Sequence, residues 1–260
     1  MIEIPAYELL GVRAQPMTPA MLYDAIENAI QADRQCLIGN HNLHSVYLFH
    51  HNAKMRRFYE LAHYIFVDGM PLIMAGRLLG MPVRREHRIT SIDWLPELLV
   101  RAEANGWRIL LLGSKPNVAA RAAERLRRQY PGLLIEAEHG YFDADPGSAE
   151  GAAVLGRVNA YKPHILCVGM GMPRQEHWIL DNRAHLGPCV VIALGAFMEL
   201  LTGDLPVPPR WMGRAGLEWL YRLVANPRRV WRRYLVEPWS VVPYLVRDLA
   251  ARRSRDAFDS

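Results

Sequence analysis

An open, mostly parallel α/β sheet with helices on both faces is the fold class predicted by this 260-residue chain. Three observations carry it. Short apolar runs of strand-forming residues alternate with longer helical patterns over most of the length. Each run is apolar on both faces, as a strand covered by helices on either side requires. Polar residues and glycines gather just after the runs, at the carboxyl edge where such sheets bind ligands. A composition of 51% hydrophobic and 22% charged residues suits a packed domain and excludes a disordered chain.

In chain order, a short strand near residues 9–12 and a helix over 18–31 form an N-terminal piece that packs on the sheet edge. Strands follow at 36–38, 65–67, 108–112, 133–137, 165–168 and 189–194. Helices are expected at 91–104, 116–128, 148–160 and 173–184, with Pro173 suited to a first turn. The alternation is Rossmann-like and assigns residues 1–203 to one α/β domain. After Gly203 the strand signal stops. Between residues 205 and 235, Arg210, Arg214, Arg222, Arg228, Arg229, Arg232 and Arg233 face one acid, Glu218. Residues 204–260 are therefore read as a basic helical C-terminal appendage.

Several classes are excluded. No run of about 18 apolar residues is present, so no spanning helix is expected. The opening "MIEIPAYELLGV" lacks the basic-then-apolar order of a signal peptide. Cys36, Cys167 and Cys189 are too scattered for a disulfide frame or zinc site and read as buried thiols of a reducing compartment. The expectation is a soluble or peripheral cytoplasmic chain. Its net charge is +5, and only Lys54, Lys115 and Lys162 among 31 basic residues are lysine. Arginine is the better fork for phosphates.

The strand ends carry the candidate chemistry. Asp68 in "FVDGMP" can take a proton from a hydroxyl nucleophile, although Asp-Gly also starts turns and Pro71 suits a helix start. Gly113 and Ser114 end the clearest strand and open the clearest helix, where backbone N–H groups hold phosphates. In "CVGMGMPRQEHWI", Gly169 and Gly171 begin like a dinucleotide fingerprint, but Arg174 stands in place of the third glycine. Gln175 and Glu176 then face the ligand edge, Glu176 with the alternative of complementing the helix dipole. Thr90 and Asp93 have capping-box spacing, which leaves Arg88 free to reach a phosphate. Asp143 and Asp145 read as a turn before Ser148 rather than a metal clamp, and no His-x-x-x-His or Cys-x-x-Cys pattern occurs; no metal or other cofactor is expected.

Arginines interleaved with Trp211, Trp219 and Leu220 suit an anionic membrane surface better than a duplex groove, so a membrane and not a nucleic acid is the expected partner. A charged helix pair packed on its own domain is the alternative.

Taken in order, "FVDGMP", "RITSID", "LLGSKPNVAARAAERLRRQYPGL", "HGYF", "KPHILCVGMGMPRQEHWI" and "GLEWLYRLVANPRRVWRRYL" resemble the bacterial TagA/WecG/CpsF glycosyltransferases. The resemblance implies inverting transfer from a UDP-sugar to a saccharide on a polyprenyl diphosphate, without an essential metal, in exopolysaccharide or surface-polymer assembly. It places the enzyme peripherally on the cytoplasmic face of the inner membrane and allows a homo-oligomer. Asp68 becomes the general base, Arg88 a phosphate ligand, and Gln175 with Glu176 readers of the donor. Asn42, Gly113, Ser114, Tyr141, Gly169 and Gly171 border the nucleotide. Arg214, Arg222, Arg229 and Arg232 are implied as diphosphate or headgroup contacts, while Arg84 and Arg85 rival Arg88. Asn40 stands where the family has threonine, and Met198 where it has aspartate. These departures leave the donor open between a glucose-type and an N-acetylmannosamine-type sugar, with a lean to the former. A non-catalytic nucleotide-binding module whose basic tail holds RNA or an acidic partner is the alternative function.

Overall fold

The chain begins with a hairpin, β1 (Tyr7–Leu9) and β2 (Val12–Ala14), rather than the single strand expected there. Leu10 and Gly11 both hold positive φ, which reverses the chain inside what reads as one apolar run. The structure, a computed structural model, describes residues 2–258, without the side chains of Arg210, Arg214, Ala215, Arg229, Arg253 and residues 255–258. Helix α1 (Pro19–Gln31) starts where Thr18 accepts from the Met21 N–H. Then come β3 (Cys36–His41), α2 (Leu43–His51), α3 (Ala53–Leu61), β4 (Tyr64–Val67) and α4 (Met70–Leu78).

The middle of the chain follows the expected alternation: α5 (Ser91–Asn105), β5 (Ile109–Gly113), α6 (Pro116–Gln129), β6 (Ile135–Glu138), α7 (Ala149–Tyr161), β7 (Ile165–Gly169), α8 (Arg174–Asn182) and β8 (Val190–Ala193). The six strands β3 to β8 form one parallel sheet in the order β4-β3-β8-β7-β5-β6. Because side chains alternate, Ile109 and Leu111 enter the core under α1, α5 and α6, while Leu110 and Leu112 enter the opposite one under α3, α7 and α8. The sheet is thus covered on both faces, the arrangement its continuous apolar strands require. The edge at β4 is closed by Gln15, whose backbone N–H donates to Ile65 O at 2.9 Å while its side-chain oxygen accepts from Ile65 N at 2.8 Å.

Short helices α9 (Phe197–Thr202), α10 (Arg210–Ala215), α11 (Glu218–Ala225) and α12 (Pro227–Trp231) lead through a wide-turned segment, Arg232–Val236, into α13 (Glu237–Phe258). Helix α13 returns to the N-terminus: Val241 is buried with Tyr244, Leu245 and Leu249 against Leu9, Leu10 and α4. The Asp248 carboxylate accepts from Leu10 N–H at 2.7 Å, and Tyr244 stacks on His50 at 3.7 Å. Among the described residues no helix is long and apolar enough to cross a membrane.

Candidate active site

The carboxyl ends of β3, β4 and β8 and the helices α10 to α13 enclose a cleft of about 1430 Å³. Asp68 lies one residue past β4, half-buried, with its N–H donated to His41 O at 2.8 Å. The helix-start reading of "DGMP" holds locally, since Gly69 caps α4 and Pro71 sits in its first turn. Burial pushes the Asp68 carboxyl up to about 6; Arg222, Arg88 and Arg233 pull it back, and Glu218 adds to the rise. A carboxylate tuned this way is ionised at neutral pH yet basic enough to accept a proton.

Arg88 reaches this carboxylate's neighbourhood through the backbone. Its segment pairs with the end of β4, with Ile89 N–H donating to Val67 O at 3.0 Å. The guanidinium donates to Glu218 on α11 at 2.7 Å, joining the sheet edge to the C-terminal segment. Arg85 also lines the cleft, whereas Arg84 pairs with Glu86 at 3.8 Å on an exposed turn. Thr90 occupies the helix start as expected, but its hydroxyl donates to the Asp93 carboxylate at 2.9 Å and caps no backbone N–H.

Arg222 and Arg232 line the cleft, and so does Arg233, which sequence reasoning did not single out. Arg233 donates to Asn42 Oδ1 at 3.3 Å. Asn42 in turn caps α2, accepting from Ser45 N–H at 3.1 Å. The side chains of Arg214 and Arg229 lie outside the described residues. Asn40, in the threonine's place, donates to Ala193 O at 2.8 Å and ties β3 to β8 beneath the cleft. The only sequence signal for Arg233 was its place in the Arg-Arg pair, and no regular helical phase chooses between two neighbours in a wide-turned segment.

The opening of α8 differs from expectation. Pro173 is the capping residue rather than the first helical one. Gln175 and Glu176, expected to face the ligand, are instead fully buried at 0% exposure. The Gln175 amide oxygen accepts from Gly171 N–H at 3.1 Å and Gly195 N–H at 3.0 Å, and its NH₂ donates to Glu176 at 2.7 Å. Its hydrogen-bonding capacity is spent on joining the loops after β7 and β8. Burial also pushes the Glu176 carboxyl up to about 7. Arg174, at the place of a fingerprint's third glycine, donates to Gly140 O at 2.9 Å and to Phe142 O, fixing the loop after β6.

Gly171 lines the cleft, whereas Gly113, Ser114, Tyr141 and Gly169 line neither this cavity nor the smaller one beside it. Gly113 has φ +149, and a Cβ there would lie 2.2 Å from Gly169 O. Ser114 is 4% exposed and its hydroxyl has no hydrogen-bond partner among the described residues. Tyr141 stands 65% exposed. Asp143 and Asp145 form the expected turn, with Asp145 N–H donating to Asp143 Oδ1 at 3.0 Å ahead of Ser148, the cap of α7. Among the described residues no group of three or more His, Cys, Asp or Glu side chains is placed to share a metal ion. Positive charge at the site comes from arginines.

Residues 7–255 match the family model described as the glycosyl transferase WecG/TagA/CpsF family. Over 171 residues the chain is 31% identical to N-acetylglucosaminyldiphosphoundecaprenol N-acetyl-beta-D-mannosaminyltransferases of Staphylococcus aureus strains NCTC 8325 / PS 47, COL and MSSA476. The matched stretch is 66% of this chain and 65% of each relative, so the chain spans less than two thirds of the length of these relatives.

Proposed function

The chain belongs to the WecG/TagA/CpsF glycosyl transferase family, and on that premise we propose that it transfers a sugar from a UDP-sugar to a saccharide carried on a polyprenyl diphosphate. The single observation that carries this reading is Asp68: a carboxyl pushed up to about 6, at a cleft wall shared with Arg88, Arg222 and Arg233. In the step proposed, the acceptor hydroxyl gives its proton to Asp68 while its oxygen attacks the anomeric carbon. The bond from that carbon to the β-phosphate oxygen breaks, with inversion, and UDP leaves with the bonding pair. Arginines stabilise the charge that develops on the diphosphate, the work a metal ion does elsewhere, so no essential metal is assigned.

The matched relatives are named for N-acetylmannosaminyl transfer to an N-acetylglucosaminyl diphosphate lipid, which favours an N-acetylmannosamine-type donor over the glucose-type sugar expected first. A catalytic base among cations also favours transfer over a non-catalytic nucleotide module. The proposed location is the cytoplasmic face of the bacterial inner membrane, in surface-polymer assembly. Asp68→Asn is expected to abolish transfer while UDP binding, measured by calorimetry, stays near that of the parent. Unchanged turnover by this variant would remove Asp68 from the mechanism.

A further inference from the structure

A second cavity of about 260 Å³ adjoins the cleft and shares with it two carboxylates, Asp68 and Glu218, and three arginines, Arg88, Arg222 and Arg233, together with Asn42, His44 and Gly213. Its other walls are of different character: Leu43, Met70, Pro71, Trp219, Tyr234 and Pro238. The two spaces therefore meet at the candidate base and diverge from it, one large and lined about equally by polar and apolar surface, the other small and mostly apolar. Cavities that take up a drug-sized ligand whole span about 300–1,000 Å³. The cleft exceeds that range and has room for a nucleotide sugar together with an acceptor sugar. The smaller chamber falls below it and suits a part of a molecule whose remainder lies elsewhere.

We propose that the small chamber receives the first isoprene units of the acceptor, with its diphosphate held between the chambers by Arg88, Arg222 and Arg233. The proposal rests on the transferase reading above and adds a place for the lipid. Charge sets the orientation: at the end shared with the cleft three arginines outnumber Asp68 and Glu218, with Arg88 paired to Glu218 at 2.7 Å, so a diphosphate sits there with its saccharide toward Asp68 and the cleft and its hydrocarbon toward Trp219 and Tyr234. These two rings lie 6.4 Å apart, and Trp219 is 39% exposed, so the apolar wall continues to the surface. Both rings and two of the arginines come from the C-terminal segment, so the chamber exists only when that segment is folded over the sheet edge.

The test uses the full chain and geranylgeranyl diphosphate bearing a diazirine on its first isoprene unit. Photolysis is expected to label the peptides containing Leu43, Met70 or Pro71, and those containing Trp219 or Tyr234, with inorganic diphosphate competing. Labelling confined to the large cleft, no labelling, or equal labelling of these peptides by a diazirine-bearing phospholipid acyl chain would each overturn the assignment. Transfer assays run in parallel judge the transferase reading separately: labelling without transfer sinks that reading and leaves the chamber assigned. As a kinetic check, Met70→Trp narrows the chamber. It is expected to raise KM for a prenylated acceptor diphosphate about tenfold more than KM for the same diphosphate without the chain, the cost of displacing roughly two carbons' worth of burial. Equal effects on both acceptors would overturn the proposal.

Discussion

Asp68 holds its proton more tightly in the folded chain than an ordinary carboxylate does, with burial as the leading cause. A raised carboxylate pKa means that folding favours the protonated form. For this group stability therefore falls as pH rises from about 4 through about 6, and Asp68→Asn removes that slope. Thermal melts between pH 4 and 8 should show the variant gaining on the parent toward neutral pH and matching it near pH 4; parallel curves would mean that Asp68 is not perturbed. Its neighbours act in opposite directions. Glu218→Gln should move the acid limb of kcat/KM to lower pH, because the Glu218 charge raises the Asp68 pKa, and Arg222→Gln should move the limb upward. Limbs that stay put, or move together, would show that these charges do not tune the base. Asp68 was legible in the sequence because a carboxylate after an apolar strand and before Gly-Pro spacing marks a sheet edge. Arg233 was not, because its role depends on which way a wide-turned segment rotates.

At the scale of elements, strands were easier to read than the turns between them. Runs such as Ile165–Gly169 are buried throughout, so each residue repeats the same signal. Helices α2 and α3 were not anticipated: His44, His50 and His51 dilute the apolar pattern of the first, and Lys54, Arg56 and Arg57 that of the second. The turn before α8 departs from its sequence pattern for a related reason. Polarity after a strand commonly marks ligand contact, whereas Gln175 is polar because two loop N–H groups converge on it. Gln175→Ala is accordingly expected to cost about 2–4 kcal/mol by urea denaturation, since buried donors lose their acceptor. A stable variant with lost UDP binding would restore the donor-reading role. Gly113→Ala should cost still more, about 4 kcal/mol or above, because its Cβ meets the Gly169 carbonyl and the residue's φ of +149 disfavours a side chain.

For the molecule as a whole, the C-terminal segment faces two ways. One side of α13 is part of the third apolar cluster, with Val241, Tyr244 and Leu249 covering Leu9, Leu10 and Ile73. The segment also exposes Trp211 at 60%, Val224 and Trp239 at 75% and Val246 at 58%. The sequence showed its basic and aromatic character but not this division, because the inner partners lie far from it along the chain, in the N-terminal hairpin and α4. Deleting residues 204–260 would uncover the cluster as well as remove the outer surface, so lost vesicle binding by that truncation has two explanations. Point changes separate them. Trp239→Glu with Val224→Glu alters side chains that touch little protein, so thermal stability should stay within about 0.5 kcal/mol of the parent. If the exposed side lies in a headgroup boundary, each apolar side chain withdrawn from it loses roughly 1.5 kcal/mol, and the pair should weaken co-sedimentation with anionic vesicles on the order of a hundredfold. Undiminished vesicle binding by a stable double variant would mean that the exposed tryptophan and valine serve another contact, and that arginine charge alone draws the protein to the surface.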